Sequence, residues 1–182
     1  MSVTRIPLYP ESELIRRVSE LGDEISRAYD DGSGFIAVVI MNGGLFFASD
    51  LLRHVTVPVL IDSIPAGSYL HHASTGNLTI RGGHKLDVKG RHVLLIDDIL
   101  DTGFTLAALR RRFLDEGAAS CRTCVLIDKD LPPGKKKLRP DWFGFKSPDE
   151  YLVGFGMDSD ELYRNLPEIC ILREDEEREP GT

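Results

Sequence analysis

The apolar residues of this chain follow two periods, which predict alternating helices and strands. Helical spacing covers residues 11–30, where the apolar positions are Leu14, Ile15, Val18, Leu21 and Ile25. Further helices are expected at 45–53 and 104–116. Short, mostly apolar runs of strand length lie at 35–41, 57–61, 92–97, 123–128 and 169–172, and the run at 35–41 is continuous. Such runs are typical of strands buried on both faces of a parallel sheet, so the pattern predicts a doubly wound α/β fold with flanking helices.

Two segments depart from this alternation. Residues 65–90 are rich in Gly, Ser, Thr and His, and only 77–81 has strand character. A long polar insertion in a compact domain is usually a functional flap or a disordered loop. Residues 174–182 form an acidic tail, which is expected to be disordered.

Length and charge narrow the classes of function. A chain of 182 residues suits a single domain. Its formal net charge of −7 argues against a nucleic-acid partner, although a small anionic substrate stays open. No apolar stretch has the length of a membrane span or a signal peptide, so a cytoplasmic protein is expected.

The three cysteines fit the same compartment. Cys121 and Cys124 form a C-x-x-C, which can serve metal or redox chemistry. They lead into the apolar run 125–127 with no second Cys or His pair nearby. Burial in the core is therefore the preferred interpretation.

The richest signal follows the strand at 92–97. Thr102, Gly103 and Thr105 lie in the turn before the next predicted helix. Backbone amides at a helix start, with hydroxyls beside them, suit a phosphate dianion, and a glycine allows close backbone approach. The segment lacks the Gly-Lys-Ser/Thr ending of a nucleotide P-loop and the dinucleotide fingerprint.

Three carboxylates flank this turn: Asp97, Asp98 and Asp101. They would repel a bare phosphate but suit a ligand that also carries hydroxyls or a metal, as a phosphorylated ribose with Mg²⁺ does. The alternative is an Asp/Thr cluster that only caps the helix. That alternative accounts for one or two of the aspartates, so a phosphoribose site is predicted.

The run Val93–Thr105 resembles the signature of the type I phosphoribosyltransferases. Four further segments resemble hypoxanthine-guanine phosphoribosyltransferase: Gly43–Leu52, Gly67–Tyr69 with Ser74–Gly76, Arg139–Asp149, and Val153–Asp158. The resemblance implies transfer of 5-phosphoribosyl from phosphoribosyl diphosphate to a 6-oxopurine in purine salvage, with Mg²⁺. It also implies one domain over 1–173, with a core at about 30–130, a hood from the N-terminal and 139–172 segments, and a homodimer or homotetramer.

The resemblance assigns roles around the ribose phosphate. Asp97 and Asp98 would hold the ribose diol or its metal. Asp101 would be the acid/base group near the purine N7. The 5-phosphate would lie against Asp101, Thr102, Gly103, Phe104 and Thr105, with Phe104 contributing only its backbone.

The resemblance also assigns the base and diphosphate ends. Lys129 would donate to the 6-oxo group, Trp142 would stack on the base, and Phe143 would meet it through its backbone. Asp149 would assist the metal. The diphosphate would lie against the turn Asn42-Gly43 and the flap residues Ser68 and Tyr69.

Two positions depart from the family pattern. Asn42 stands where the family has a lysine, and Pro133 stands where it commonly has an arginine. Slower turnover or weaker affinity for the diphosphate than in a typical relative is therefore predicted. Two alternatives remain: a regulator on the same fold, and a transferase for another base. Preference among hypoxanthine, guanine and xanthine is left open.

Overall fold

A computed structural model describes residues 3–65 and 85–174 of the chain, and its centre is a parallel sheet. The five strands are β2 (Phe35–Met41), β3 (Val59–Pro65), β4 (His92–Leu100), β5 (Ser120–Lys129) and β6 (Trp142–Ser147). Their order is β3-β2-β4-β5-β6, and every neighbouring pair is parallel. The predicted sheet is confirmed.

Within residues 3–65 and 85–174, three helices cover the sheet: α1 (Glu11–Ala28), α2 (Gly44–Arg53) and α3 (Phe104–Asp115). Ala37 and Val39 of β2 pack in one cluster with α1 and α2, whereas Ile36 and Val38 pack in a second cluster with α3. Successive strand residues point to opposite faces, so helices on both faces require a continuous apolar run. Helices on both faces of a parallel sheet define the doubly wound α/β class, so the predicted fold class is confirmed.

A second, antiparallel sheet forms a hood. Its strands are β1 (Val3–Tyr9), β7 (Leu152–Val153) and β8 (Ile169–Glu174), in the order β1-β8-β7. The segment 142–147, which was assigned to the hood, instead forms β6 of the main sheet. It pairs with β5 from Cys124↔Trp142 to Lys129↔Ser147, so the core reaches beyond residue 130.

Several predictions fall on residues outside the described part of the chain. These are the flap with Ser68 and Tyr69, the strand at 77–81, and residues 175–182 of the tail. In the residues that are described, none of the helices is long and apolar enough to cross a membrane.

The sheet order creates a crevice at one edge. From β2 the chain passes to β3 on one side, while β4 lies on the other side of β2. The connections leaving β2 and β4 therefore diverge at their carboxyl ends, where doubly wound sheets bind ligands. Asn42 follows β2, and Asp101 follows β4.

Candidate functional site

The turn after β4 forms a small cavity. It has a volume of about 120 Å³ and is lined by Asp97 and by the run from Ile99 through Leu106. Gly103 has φ 75°, a left-handed conformation, and directly precedes α3. Because the N-cap is a glycine, neither an Asp nor a Thr side chain occupies that capping position. The amides of the first turn thus face a cavity of phosphate size.

A second cavity, of about 200 Å³, adjoins the first. Its walls include Asp98, Asp101, Lys129, Tyr151 and Asp158. Asp101 lines both cavities, since it also borders the turn after β4. Asp101 therefore lies at the border between a pocket suited to a phosphate and a pocket with an aromatic ring and a cation.

Lys129 is brought to the second cavity by the end of β5. Its side chain is 13% exposed, and its Nζ lies 3.5 Å from Asp149 Oδ1. Asp149 is 60% exposed and borders the solvent side of Lys129. The lysine is thus held at the cavity wall by a carboxylate, and Asp149 does not join the Asp97–Asp98 pair.

Asp97 and Asp98 lie side by side at the end of β4. Burial raises the pKa of Asp97 well above its usual value, and the neighbouring charge of Asp98 raises it further. Burial also raises the pKa of Asp98, while the positive charge of Arg164 opposes that rise. Asp98 Oδ1 accepts a hydrogen bond from the Ile99 amide at 2.8 Å. The pair is therefore a site where added positive charge would be stabilising.

Such a pair fits Mg²⁺ that is held partly by a substrate. Within 3–65 and 85–174, no group of three His, Cys, Asp or Glu side chains could hold a metal. Mg²⁺ is usually bound through one or two carboxylates together with substrate phosphates, so a full protein cage is not required. Asp158 shares the second cavity with Asp98, but its carboxylate is already paired with Arg164 at 2.8 Å.

The turn after β2 is packed tightly against this pair. The peptide bond between Met41 and Asn42 is cis. A Cβ on Gly43 would lie 2.2 Å from Asp98 Oδ2, and a Cβ on Gly156 would lie 2.1 Å from the Gly43 carbonyl oxygen. Only glycines allow this approach, so the turn is clamped between β4 and the hood.

Trp142 is not brought to this site. It begins β6 opposite Cys124, five residues before Lys129 on β5, or about 16 Å along the strand. Its ring centroid is 6.3 Å from that of Tyr29, and the Arg122 guanidinium lies 5.6 Å from it. The assignment of Trp142 to base stacking is therefore corrected: Trp142 lies toward the amino-terminal ends of the strands, away from the two cavities.

Phe143 is also placed elsewhere. It pairs with Val125, and its carbonyl accepts a hydrogen bond from Arg17 at 2.9 Å. The aromatic side chain that does line the second cavity is Tyr151, which is 54% exposed, with Leu152 beside it.

Sequence reasoning missed Tyr151, Leu152 and Asp158. The available signal was their position: they flank or belong to Val153–Asp158, a segment already noted for its resemblance to the family. Tyr151 directly precedes a strand of only two residues, so it carries a weaker local signal than the chain's one tryptophan.

Three consecutive lysines, Lys135–Lys137, follow Pro133, and Lys136 is held by an ion pair away from the two cavities. Lys136 forms an ion pair with Asp128, which is nearly fully buried, and Lys146 Nζ contacts the same carboxylate at 2.6 Å. Lys136 is therefore directed to the side of β5 and not to the carboxylates after β4.

Comparisons with known proteins agree on one family. A family model described as phosphoribosyl transferase domain matches residues 8–160. The chain is 37% identical over 167 residues to the hypoxanthine-guanine-xanthine phosphoribosyltransferase of Tritrichomonas foetus, covering 92% of this chain and 91% of the relative. It is 36% identical over 168 residues to the hypoxanthine-guanine phosphoribosyltransferase of Bacillus subtilis, covering 91% and 92%.

Solved structures give the same result. The crystal structure of a hypoxanthine-guanine phosphoribosyltransferase from Bacillus anthracis superimposes with a TM-score of 0.84 at 32% identity. The match covers 95% of this chain and 100% of that one. A hypoxanthine phosphoribosyltransferase from Staphylococcus aureus gives a TM-score of 0.82 at 33% identity, covering 92% and 90%.

Proposed function

Since the chain belongs to the phosphoribosyl transferase family, we propose that it transfers 5-phosphoribosyl from phosphoribosyl diphosphate to a 6-oxopurine, hypoxanthine or guanine, in purine salvage. One observation carries this proposal: Asp101 lines both the phosphate-sized cavity and the cavity that holds Lys129 and Tyr151. A nucleoside monophosphate has its phosphate and its base at the two ends of a ribose. The two adjoining cavities match that layout.

The 5-phosphate would be bound by the turn after β4. The first turn of α3 lines the cavity, and the amides and dipole of a helix N-terminus favour an anion there. The hydroxyls of Thr102 and Thr105 lie in the same wall. Phe104, at the helix start, contributes its amide.

The base would be held by Lys129 and Tyr151. The ammonium of Lys129 donates to the 6-oxo group, which a 6-amino group cannot replace as an acceptor. Tyr151 offers its ring for stacking, and Leu152 borders the same space. These two residues support a purine and replace Trp142 and Phe143 in the proposal.

Asp101 would move the proton. As one nitrogen of the five-membered ring bonds to C1′ of the ribose, the Asp101 carboxylate accepts the proton carried by the other ring nitrogen. The electron pair of the breaking C1′–O bond leaves with the diphosphate. Asp101 is exposed and reaches the cavity in which the base would lie.

Asp97 and Asp98 would accept hydrogen bonds from the ribose hydroxyls and would hold Mg²⁺ together with phosphate oxygens of the substrate. Bound Mg²⁺ would neutralise negative charge on the leaving diphosphate. The geometry supports this role, because Asp97 and Asp98 are adjacent carboxylates that border the two adjoining cavities.

The turn Asn42-Gly43 would bind the diphosphate through its amides. Asn42 carries no charge, but Arg164 lies on the hood side of the same junction, where it donates to the Gly156 carbonyl at 2.7 Å. Gly156 in turn contacts the Gly43 carbonyl. We keep the prediction of weaker diphosphate handling, and an Asn42→Lys variant is expected to lower the KM for phosphoribosyl diphosphate.

A product assay tests the function. The protein is incubated with phosphoribosyl diphosphate, Mg²⁺ and, separately, hypoxanthine, guanine, xanthine, adenine or uracil. We expect mononucleotide from hypoxanthine or guanine and none from adenine. Removal of divalent cations by a chelator should abolish product, and added Mg²⁺ should restore it. An absence of product from all five bases would contradict the proposal.

We also propose that the chain associates with a second copy of itself. Leu45 of α2 and Ile61 of β3 are 46% and 64% exposed and border an apolar groove of about 440 Å³. A large exposed apolar patch on an edge strand is typical of an association surface. Sedimentation should show a dimer or tetramer that Ile61→Asp weakens; a monomer at all concentrations would contradict this.

A further inference from the structure

The phosphate turn has an unbalanced charge. Asp97, Asp98 and Asp101 contribute three carboxylates, and the run from 97 to 105 contains no basic residue. The position at the start of α3 is occupied by Phe104. The N-terminus of a helix supplies only about half a positive charge. A cation supplied by another segment of the chain would therefore strengthen the binding of a phosphate dianion in this turn.

One lysine lies against the turn. The Lys137 amide donates to the Thr102 carbonyl at 2.8 Å, which ties the backbone of the lysine run to the turn. The Lys137 ammonium lies over the Phe104 ring, 5.3 Å from its centroid. Leu138 packs against Gly103, where a Cβ would come within 3.2 Å of Leu138 Cβ. Residues 137–138 thus form an outer wall of the phosphate turn.

The neighbouring lysines do not share this placement. Lys136 is paired with Asp128 on the side of β5. Lys135 is exposed, and its amide donates to the Pro132 carbonyl at 3.2 Å within its own loop. Of the three consecutive lysines, Lys137 is the one whose ammonium contacts a residue of the turn.

The Phe104 ring gives that ammonium a defined position. Phe104 is 59% exposed, so its ring is open to solvent and accessible to the Lys137 ammonium. An ammonium over an aromatic face is attracted by the ring quadrupole, and this attraction leaves its N–H groups free to donate. A lysine held there keeps a point charge on a flexible stem, suited to a phosphate.

We propose that Lys137, positioned by the Phe104 ring, is a binding residue for the 5-phosphate of the ribose substrate. The proposal rests on the proposed function, and it assigns Phe104 a side-chain role beyond its amide. Lys137 is a specificity residue for the phosphate end only. Its contacts within the described residues include Thr102 and Phe104, both of which belong to the phosphate turn.

Direct binding tests the assignment. Calorimetry with ribose 5-phosphate, and separately with inorganic diphosphate and Mg²⁺, is carried out on the wild type, Lys137→Met, Lys137→Arg and Lys135→Met. We expect Lys137→Met to weaken ribose 5-phosphate binding about tenfold and to leave diphosphate binding within twofold. Lys137→Arg should keep most of the affinity, because it keeps the charge. Lys135→Met is the matched control and should resemble the wild type.

Kinetics give a second measurement. Lys137→Met should raise the KM for phosphoribosyl diphosphate about tenfold while kcat and the KM for hypoxanthine stay within twofold. The KM should also depend less on ionic strength than in the wild type, since one ion contact is gone. An unchanged KM, an equal loss in Lys135→Met, or a parallel loss of hypoxanthine binding would overturn the assignment.

The role of Phe104 is tested by a double-mutant cycle. Phe104→Ala should weaken ribose 5-phosphate binding by a smaller factor than Lys137→Met. The double variant should bind no more weakly than Lys137→Met alone, because the ring acts through the lysine. Fully additive losses would remove Phe104 from the proposal.

The calorimetric experiment does not need turnover, so its result is separable from the proposed function. Absence of product in the wild type would contradict the enzyme, whereas wild-type affinity for ribose 5-phosphate in Lys137→Met would contradict only the lysine.

Discussion

At the scale of single residues, Asp101 is the group on which the chemistry depends, because it borders both cavities. An Asp101→Asn variant keeps the size and most hydrogen-bonding capacity of the side chain but cannot accept the proton. We expect kcat to fall about 100- to 10,000-fold, with the KM values changed only a few-fold. Steady-state kinetics with hypoxanthine check this; a kcat within threefold of the wild type would exclude Asp101 as the base.

Tyr151 and Trp142 offer a paired test of which aromatic meets the base. Tyr151→Ala should raise the KM for hypoxanthine about tenfold, since base stacking on an aromatic contributes about 1–3 kcal/mol. Trp142→Ala should leave that KM unchanged and instead lower the free energy of unfolding by about 2 kcal/mol, because the ring packs with Tyr29. The reverse pattern would restore Trp142 as the stacking residue.

The two residues also show how far the sequence reaches. Asp97 through Thr105 is one continuous segment, so its strand, turn and helix start are predictable from local pattern. Trp142 and Tyr151 are nine residues apart, and which of them meets Lys129 depends on the register of β6 against β5. Register is a tertiary property that is set by packing, and no local pattern specifies it.

At the scale of elements, the hood and the main sheet meet at Gly156 and Gly43. Gly156 has φ 107°, and a Cβ there would lie 2.1 Å from the Gly43 carbonyl oxygen. Gly156→Ala should therefore displace the turn after β2, which in turn contacts Asp98. We expect the free energy of unfolding to fall by about 2 kcal/mol or more and the KM for phosphoribosyl diphosphate to rise.

Gly90→Ala is a matched control for that change. Gly90 has φ 70°, also left-handed, but a Cβ there would meet nothing within 4 Å. It should cost about 1–2 kcal/mol from backbone conformation alone and leave the KM unaffected. Thermal denaturation and kinetics of both variants distinguish the effect of backbone strain from the effect of the clash with the Gly43 carbonyl. Equal effects of the two changes on the KM would show that the contact is unimportant.

The strands that could be predicted from sequence are those whose own residues are apolar and buried. The strands β2, β4 and β5 are buried on both faces, and their apolar runs identify them directly. By contrast, β1 is largely exposed and includes Pro7, and it exists as a strand because it pairs with β8. The strand β6 has a similar origin, since its half-buried residues carry no clear period. Pairing between distant segments supplied what local sequence could not.

At the scale of the whole molecule, two apolar clusters lie on opposite faces of the main sheet, and each cluster contains one cysteine of β5. Cys121 belongs to the cluster with α3, and Cys124 to the cluster with α1 and α2. Their odd spacing on β5 places the two thiols on opposite faces. They are therefore not arranged to share a metal. Cys170 lies in the hood strand β8.

The thiols consequently report on the stability of the two sheets. Burial raises the pKa of Cys121 to about 12, and burial also raises the pKa of Cys124, so neither is a reactive thiolate at pH 8 while the fold is intact. We expect both to be labelled by a thiol reagent only through global unfolding, at a rate that a bound nucleotide lowers. Cys170 should be labelled earlier as denaturant rises, because the hood sheet can open while the main sheet stays folded.

Mass spectrometry of timed samples assigns each site. Labelling of Cys124 in native buffer at the rate of a free thiol would contradict a closed core, and simultaneous labelling of all three would show that hood and sheet unfold as one unit.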